Sequence, residues 1–177
     1  GTALTVRVRN VTSNSFQFQV DRWDHYSGQT HNYLEKLSYI VMESGSHAMG
    51  GVRWQAGRHT AVTPGGVTQA LSAGFPNTPV IFSQVATTND AQSVQARVSA
   101  ASTTGFTVEL DEWEYDPTPH ANETVHWIAV TPGTSNFFTT QMRFQVGTVT
   151  NQDSSFRTQS FSRMHADPYL FAAMQSK

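Results

Sequence analysis

The chain holds 177 residues, 38% hydrophobic and only 14% charged, a low charge density for a helical protein in water. Its 11 Lys and Arg against 13 Asp and Glu leave a net charge of −2 with the basic residues scattered, which argues against the basic surface that nucleic acid or an anionic membrane requires. There is no cysteine, so disulfides, thiolate metal sites and thiol nucleophiles are excluded, and no run of 18 apolar residues offers a membrane span.

Strand-like sequence begins almost at Gly1, so no signal peptide is read there and a mature or excised segment is expected. Val6 and Val8, then Phe16, Phe18 and Val20, are apolar at alternate positions, with Arg7, Arg9, Gln17 and Gln19 between them. Period two with polar residues opposite predicts half-buried antiparallel strands. Leu37, Tyr39 and Val41 alternate likewise, as do Phe106, Val108 and Leu110, and then Val125, Trp127 and Ala129. Turn signals separate these runs at Ser13-Asn14, Gly50-Gly51, Thr63-Pro-Gly-Gly66, Thr103-Thr-Gly105 and Thr131-Pro-Gly133. Short strands with such punctuation predict an all-β sandwich or barrel.

The chain also repeats itself once. Arg7-Val8 through Phe16, Asp21 and Trp23 match Arg97-Val98 through Phe106, Asp111 and Trp113 at an offset of 90. Glu35 through Ile40 and Gly45 match Glu123 through Ile128 and Gly133 at 88, and Val52 through Gly57 match Met142 through Gly147 at 90. Pro79-Val-Ile-Phe82 matches Pro168-Tyr-Leu-Phe171 at 89. That last match reads His165 to Gln175, the one helix-compatible stretch, as strand. The offset changes across 24–34 and 114–122, where loops are expected. The expected fold is therefore all-β, two antiparallel β-sandwich units of about six strands each. The repeats run 1–88 and 89–177. In space, 46–135 is expected to form one complete sandwich, and 136–177 with 1–45 the other, with the strand at 4–10 beside that at 168–174.

From Arg53 to Gly133 the order Trp54, Phe75, Pro79-Val-Ile-Phe82, Arg97, Thr104-Gly-Phe106, Trp113 and Val125-His-Trp-Ile-Ala129 resembles the H-type lectin family. The resemblance implies six-stranded antiparallel sandwiches that bind sugars. Trp113 and Trp23 match the family's sugar-binding tryptophan. Glu114 and Asp24 stand where its histidine would be, with His25 one step on. Ser93 and Ala3 take the arginine position, and the loop at 63–66 has no acid, so an amino-sugar specificity is not implied.

Charged and aromatic residues mix most densely in Asp21-Arg-Trp-Asp-His-Tyr26 and Asp111-Glu-Trp-Glu-Tyr-Asp116. Aromatic faces stack on sugar C–H faces while carboxylates and amides take hydroxyls. The candidate carbohydrate-binding residues are Trp23, Asp24, His25, Tyr26, His31, Trp113, Glu114, Tyr115 and His120; the alternative is that both tryptophans cap the core. His31 and His120 precede Glu35 and Glu123 at unequal spacings, which suits a hydrogen bond tying loop to strand better than a zinc site needing three or four ligands. No metal or cofactor is expected. The acids Glu109, Asp111, Glu112 and Glu114 become Gln19, Asp21, Arg22 and Asp24 in the other copy, so a paired-carboxylate glycosidase site is not repeated. No nucleophile elbow, phosphate loop or zinc-protease helix is present.

The expected function is a non-catalytic, secreted carbohydrate-binding module or lectin recognising extracellular glycan or polysaccharide. The alternative is a structural extracellular protein, an adhesive or filament subunit self-associating through its sandwich ends. An enzyme acting on polysaccharide ranks third. The sequons Asn10-Val-Thr12 and Asn122-Glu-Thr124 matter only where the source glycosylates.

Overall fold

A computed structural model of the chain describes residues 4–22, 37–72, 74–112, 119–137, 142–150 and 158–162. The described residues form eleven strands and no helix: β1 (Leu4–Arg9), β2 (Gln17–Arg22), β3 (Gly45–Met49), β4 (Val52–Val62), β5 (Val67–Ala70), β6 (Val80–Val85), β7 (Gln95–Ser99), β8 (Gly105–Asp111), β9 (Glu123–Val130), β10 (Gly133–Phe137) and β11 (Met142–Val146). Every pairing is antiparallel. The fold is all-β and sandwich-like.

Seven strands between Gly45 and Val130 make two sheets, ordered β3-β4-β9-β6 and β5-β8-β7. The alternation read from sequence sets which residues enter the core between them. On β8, Phe106, Val108 and Leu110 are buried while Thr107 and Glu109 are not, and Val125, Trp127 and Ala129 do the same on β9. Together with Val62, Ile81, Val85 and Val98 they form one apolar cluster. Burying each large side chain stabilises the fold by about 1.5–3 kcal/mol. Two backbone devices fit the sheet to this core. A bulge between His59 and Val62, with Ala61 at φ 65°, returns Val62 to the buried face of β4. Opposite Trp127, residue 57 has to be glycine, because a Cβ there would lie 2.5 Å from Trp127 Cζ2.

The repeat is carried in three dimensions by matching details. β1 pairs with β2 as β7 pairs with β8: Thr5↔Asp21 corresponds to Gln95↔Asp111 at an offset of 90 on both strands. The turns agree too. Thr12 N donates to Ser15 O at 2.8 Å and Ser102 N to Gly105 O at 2.8 Å, with Asn10 and Ala100 both left-handed, at φ 51° and 48°. Hairpin β3–β4 has its counterpart in β10–β11, Gly45↔Ala56 against Gly133↔Val146. Gln55 Oε1 accepts from Ser72 N at 3.0 Å, and Gln145 Oε1 from Ser162 N at 2.8 Å. Phe106 meets Trp127 edge-on at 5.4 Å, and Phe16 meets Tyr39 edge-on at 5.1 Å. Trp54 and Phe144, equivalent by the repeat, touch each other at 5.7 Å, the contact that a local twofold between copies would produce.

One expected strand is not formed. Residues 37–43, the counterpart of most of β9, are not in a strand, and Tyr39, Ile40 and Val41 are exposed. β9 is held by ladders to β4 on one side and β6 on the other. Among the described residues no strand pairs with 37–43 on either side, and alternation without a ladder leaves backbone groups unpaired. The stretch 168–174 expected beside β1 lies outside the described residues. Among the described residues β1 meets β6 and the loop after it, with Gln84 Nε2 donating to Val6 O at 3.1 Å.

Candidate functional site

The polar face of hairpin β1–β2 follows from its alternation. Cross-strand pairing sets Arg7 opposite Gln19 and Arg9 opposite Gln17, and it sends Val8 and Phe18 to the other face. This polar face approaches residues 88–91, in the loop between β6 and β7.

That loop is built around a buried acid. Glu123, at the start of β9, is 0% exposed. Its Oε2 accepts from the Thr87 hydroxyl, and its Oε1 from the main-chain N–H groups of Asn89 at 2.8 Å and Asp90 at 3.3 Å. The Thr87 hydroxyl oxygen also accepts from Thr124 N at 2.7 Å, and Asn89 Nδ2 donates to Asn122 O at 2.7 Å. A carboxylate in a dry site needs such donors, or it costs several kcal/mol. On the loop's other side Arg7, itself buried, donates through Nη2 to Asp90 O at 2.6 Å and Nη1 to Ala91 O at 2.7 Å. Anion and cation therefore grip opposite ends of neighbouring peptide groups. Arg97, at the same repeat position, instead pairs with Asp111 of its own hairpin at 2.8 Å.

Asp90 closes the loop. Its Oδ1 accepts from Gln92 N and its Oδ2 from Ala121 N, both at 3.3 Å. These amides, foremost that of Gln92, hold its carboxyl below the usual carboxylate value, with His120 adding a smaller attraction. His120 is 5% exposed, with Nε2 3.2 Å from Gln92 O and Nδ1 2.7 Å from Ala121 O. It ties loop to strand entry, and it does not line the cleft described next.

Between hairpin and loop lies a cleft of about 810 Å³, walled by Arg7, Arg9, Gln17 and Gln19 with Phe16 and Phe18, and closed by residues 88–91. Arg9 Nε donates to Gln17 Oε1 at 3.1 Å, and Asn10 Nδ2 donates to the same oxygen at 2.8 Å. The amide oxygen of Gln17 is thereby occupied and its side chain oriented. Among the described residues no three His, Asp or Glu side chains converge as a metal-ligand set.

Of the sequence candidates, Trp23, Asp24, His25, Tyr26, His31, Trp113, Glu114 and Tyr115 lie outside the described residues; only His120 is placed. The two aromatic segments follow on the equivalent strands β2 and β8. The cleft residues were missed because Arg and Gln on the polar side of an alternation read equally well as a solvated face. The available signal was two arginines at alternate positions beside two glutamines.

No family model matches the chain, and no solved structure matches it. It is 29% identical over 181 residues to halomucin of Haloquadratum walsbyi (strain DSM 16790 / HBSQ001), a match covering 96% of this chain and 2% of that protein. The chain is thus similar, along nearly its whole length, to a small part of a far longer protein.

Proposed function

We propose that the chain is a non-catalytic carbohydrate-binding module of an extracellular protein. The observation that carries this is the cleft between β1–β2 and residues 88–91. It gathers the guanidinium of Arg9 and the side-chain amides of Gln17 and Gln19 opposite the main chain of residues 88–91, polar groups that suit a polyhydroxylated ligand. The likeness to H-type lectins and the match to a protein named halomucin support the sugar and extracellular parts of this reading. Trp23 and Trp113, with the acids and rings beside them, are proposed as further sugar contacts at the ends of β2 and β8. Affinity electrophoresis through polysaccharide gels tests it. Gln19→Ala is expected to weaken retardation while the melting temperature holds, since Gln19 lines the cleft and is exposed. Wild-type protein that is retarded by no polysaccharide overturns the proposal.

A second reading is favoured by the exposed apolar run Tyr39-Ile40-Val41: a structural subunit associating with a second copy of itself. Light scattering separates the two, because a structural subunit grows with concentration whereas a binding module gives a small closed species.

A further inference from the structure

We infer that the cleft selects anionic polysaccharide, with the guanidinium of Arg9 receiving a carboxylate or sulfate group of the glycan. This rests on the carbohydrate reading and names the charge of its ligand.

The charged groups around the cleft differ in how far they are already engaged. Arg7 and Glu123 are committed to the loop from opposite sides, through main-chain carbonyls and main-chain amides respectively. Each is buried. Both oxygens of Asp90 accept main-chain N–H groups, from Gln92 and Ala121, so it keeps its negative charge with both oxygens engaged by backbone amides. Arg9 differs from all three. It is exposed, it lies on the same face of β1 as Arg7, and its one hydrogen bond among the described residues is from Nε to Gln17 Oε1.

That bond decides what Arg9 can do. Nε holds one edge of the planar guanidinium against Gln17, and Asn10 fixes Gln17 in turn. The outer edge, Nη1 with Nη2, is left as a pre-oriented fork, the geometry that takes a carboxylate or sulfate through two parallel bonds. Less side-chain freedom is lost on binding when the fork is already held. Gln19, on the same face of the hairpin, offers a side-chain amide to the hydroxyls of the sugar that carries the anion. A neutral glycan would use the amides and leave the fork idle.

The test passes the whole chain through gels containing polygalacturonate, dextran sulfate or neutral dextran, at low and high salt. Retardation by one or both anionic polymers, above that by dextran and weakened by salt, is expected; which polymer retards more separates carboxylate from sulfate. Arg9→Gln is expected to lower affinity for the anionic polymer about tenfold, and Arg9→Lys to restore only part of it, because an ammonium keeps the charge but not the fork. Melting temperatures of both variants should match the wild type, since Arg9 is exposed. Equal retardation by dextran and the anionic polymers, or an Arg9→Gln variant that binds as the wild type does, overturns this inference and leaves the carbohydrate reading standing. No retardation by any polymer overturns both.

Discussion

Hairpins β1–β2 and β7–β8 share a register, a turn and a left-handed residue at the same place, yet their apolar faces have opposite fates. On β8 the alternate positions Phe106, Val108 and Leu110 are buried under β9; on β2 the counterpart of Val108 is Phe18, exposed in the described structure. Trp127 is 4% exposed and its counterpart Tyr39 is 66% exposed. The difference teaches that alternation and turn chemistry specify a hairpin and its register, while burial depends on which other strands arrive. In the second copy a strand paired on both sides, β9, lies across the hairpin. In the first copy the corresponding 37–43 stretch makes one aromatic contact, between Tyr39 and Phe16, without forming a strand.

Paired substitutions at equivalent positions sharpen this contrast, and the largest effect belongs to the core aromatics. Trp127→Ala is expected to cost about 3–5 kcal/mol in chemical denaturation, the scale for removing a buried large aromatic. Tyr39→Ala is expected to cost under about 1.5 kcal/mol, the worth of a single aromatic pair. Similar losses at both positions would mean that the first copy is as closed as the second.

Glycines give the next contrast. A methyl at residue 57 runs into the Trp127 ring, whereas one at the equivalent Gly147 meets nothing within 4 Å. Gly57→Ala should therefore destabilise by about 1–3 kcal/mol through overpacking, and Gly147→Ala should stay within about 0.5 kcal/mol of the wild type. Thermal melts of the two variants side by side decide it.

Arg7 and Arg97 share a repeat position but have different partners. Arg7→Ala removes two bonds to main-chain carbonyls across the junction and is expected to cost about 1.5–3 kcal/mol, with faster amide exchange in both β1 and residues 88–91. Arg97→Ala loses a partly exposed ion pair with Asp111 and is expected to cost less than about 1 kcal/mol. Exchange that changes only in β1 would show that Arg7 does not hold the loop.

The smallest effect is a pH dependence. Asp90 has its folded pKa lowered by main-chain amides, so its contribution is present above about pH 4 and is lost as pH falls through the folded value. Asp90→Asn should flatten that part of the stability profile. His126 is also shifted down, by burial first and then by Arg58. Its neutral form is favoured in the fold, so stability falls as pH drops below about 6.5. A profile of the His126→Gln variant that still bends in this range would assign the effect to another group.

Much of the architecture was legible because it is local. Val98, Phe106, Val108 and Leu110 announce their buried face by position alone, and the 88–90 residue offset marks hairpins whose registers agree to the residue. Leu37, Tyr39 and Val41 carry the same alternation and form no strand, because a ladder depends on partners far away in the chain. The cleft was illegible for a related reason. Arg7, Arg9, Gln17 and Gln19 become a wall only when residues 88–91 are brought opposite them, and that approach depends on Glu123, which is in phase with buried Val125 and Trp127 but whose charge argues for the surface. The aromatic segments that composition singled out, at 23–26 and 113–115, lie outside the described residues.

The grip of Glu123 and Arg7 on one loop has a thermodynamic corollary. The N–H groups of Asn89 and Asp90 turn to Glu123 inside the sandwich, and the carbonyls of Asp90 and Ala91, which belong to the next two peptide units, turn to Arg7 on the wall of the cleft. Asp90 is thus held at its N–H by one side chain and at its C=O by the other, a mechanical link through its backbone. Displacing Arg7 is therefore expected to loosen Asp90 and the hold of Glu123 on it, and with it the start of β9. By reciprocity, whatever stiffens that strand end pre-arranges the wall against which a ligand would rest. A disturbance of the cleft wall would thus reach the buried end of β9 through the backbone of Asp90.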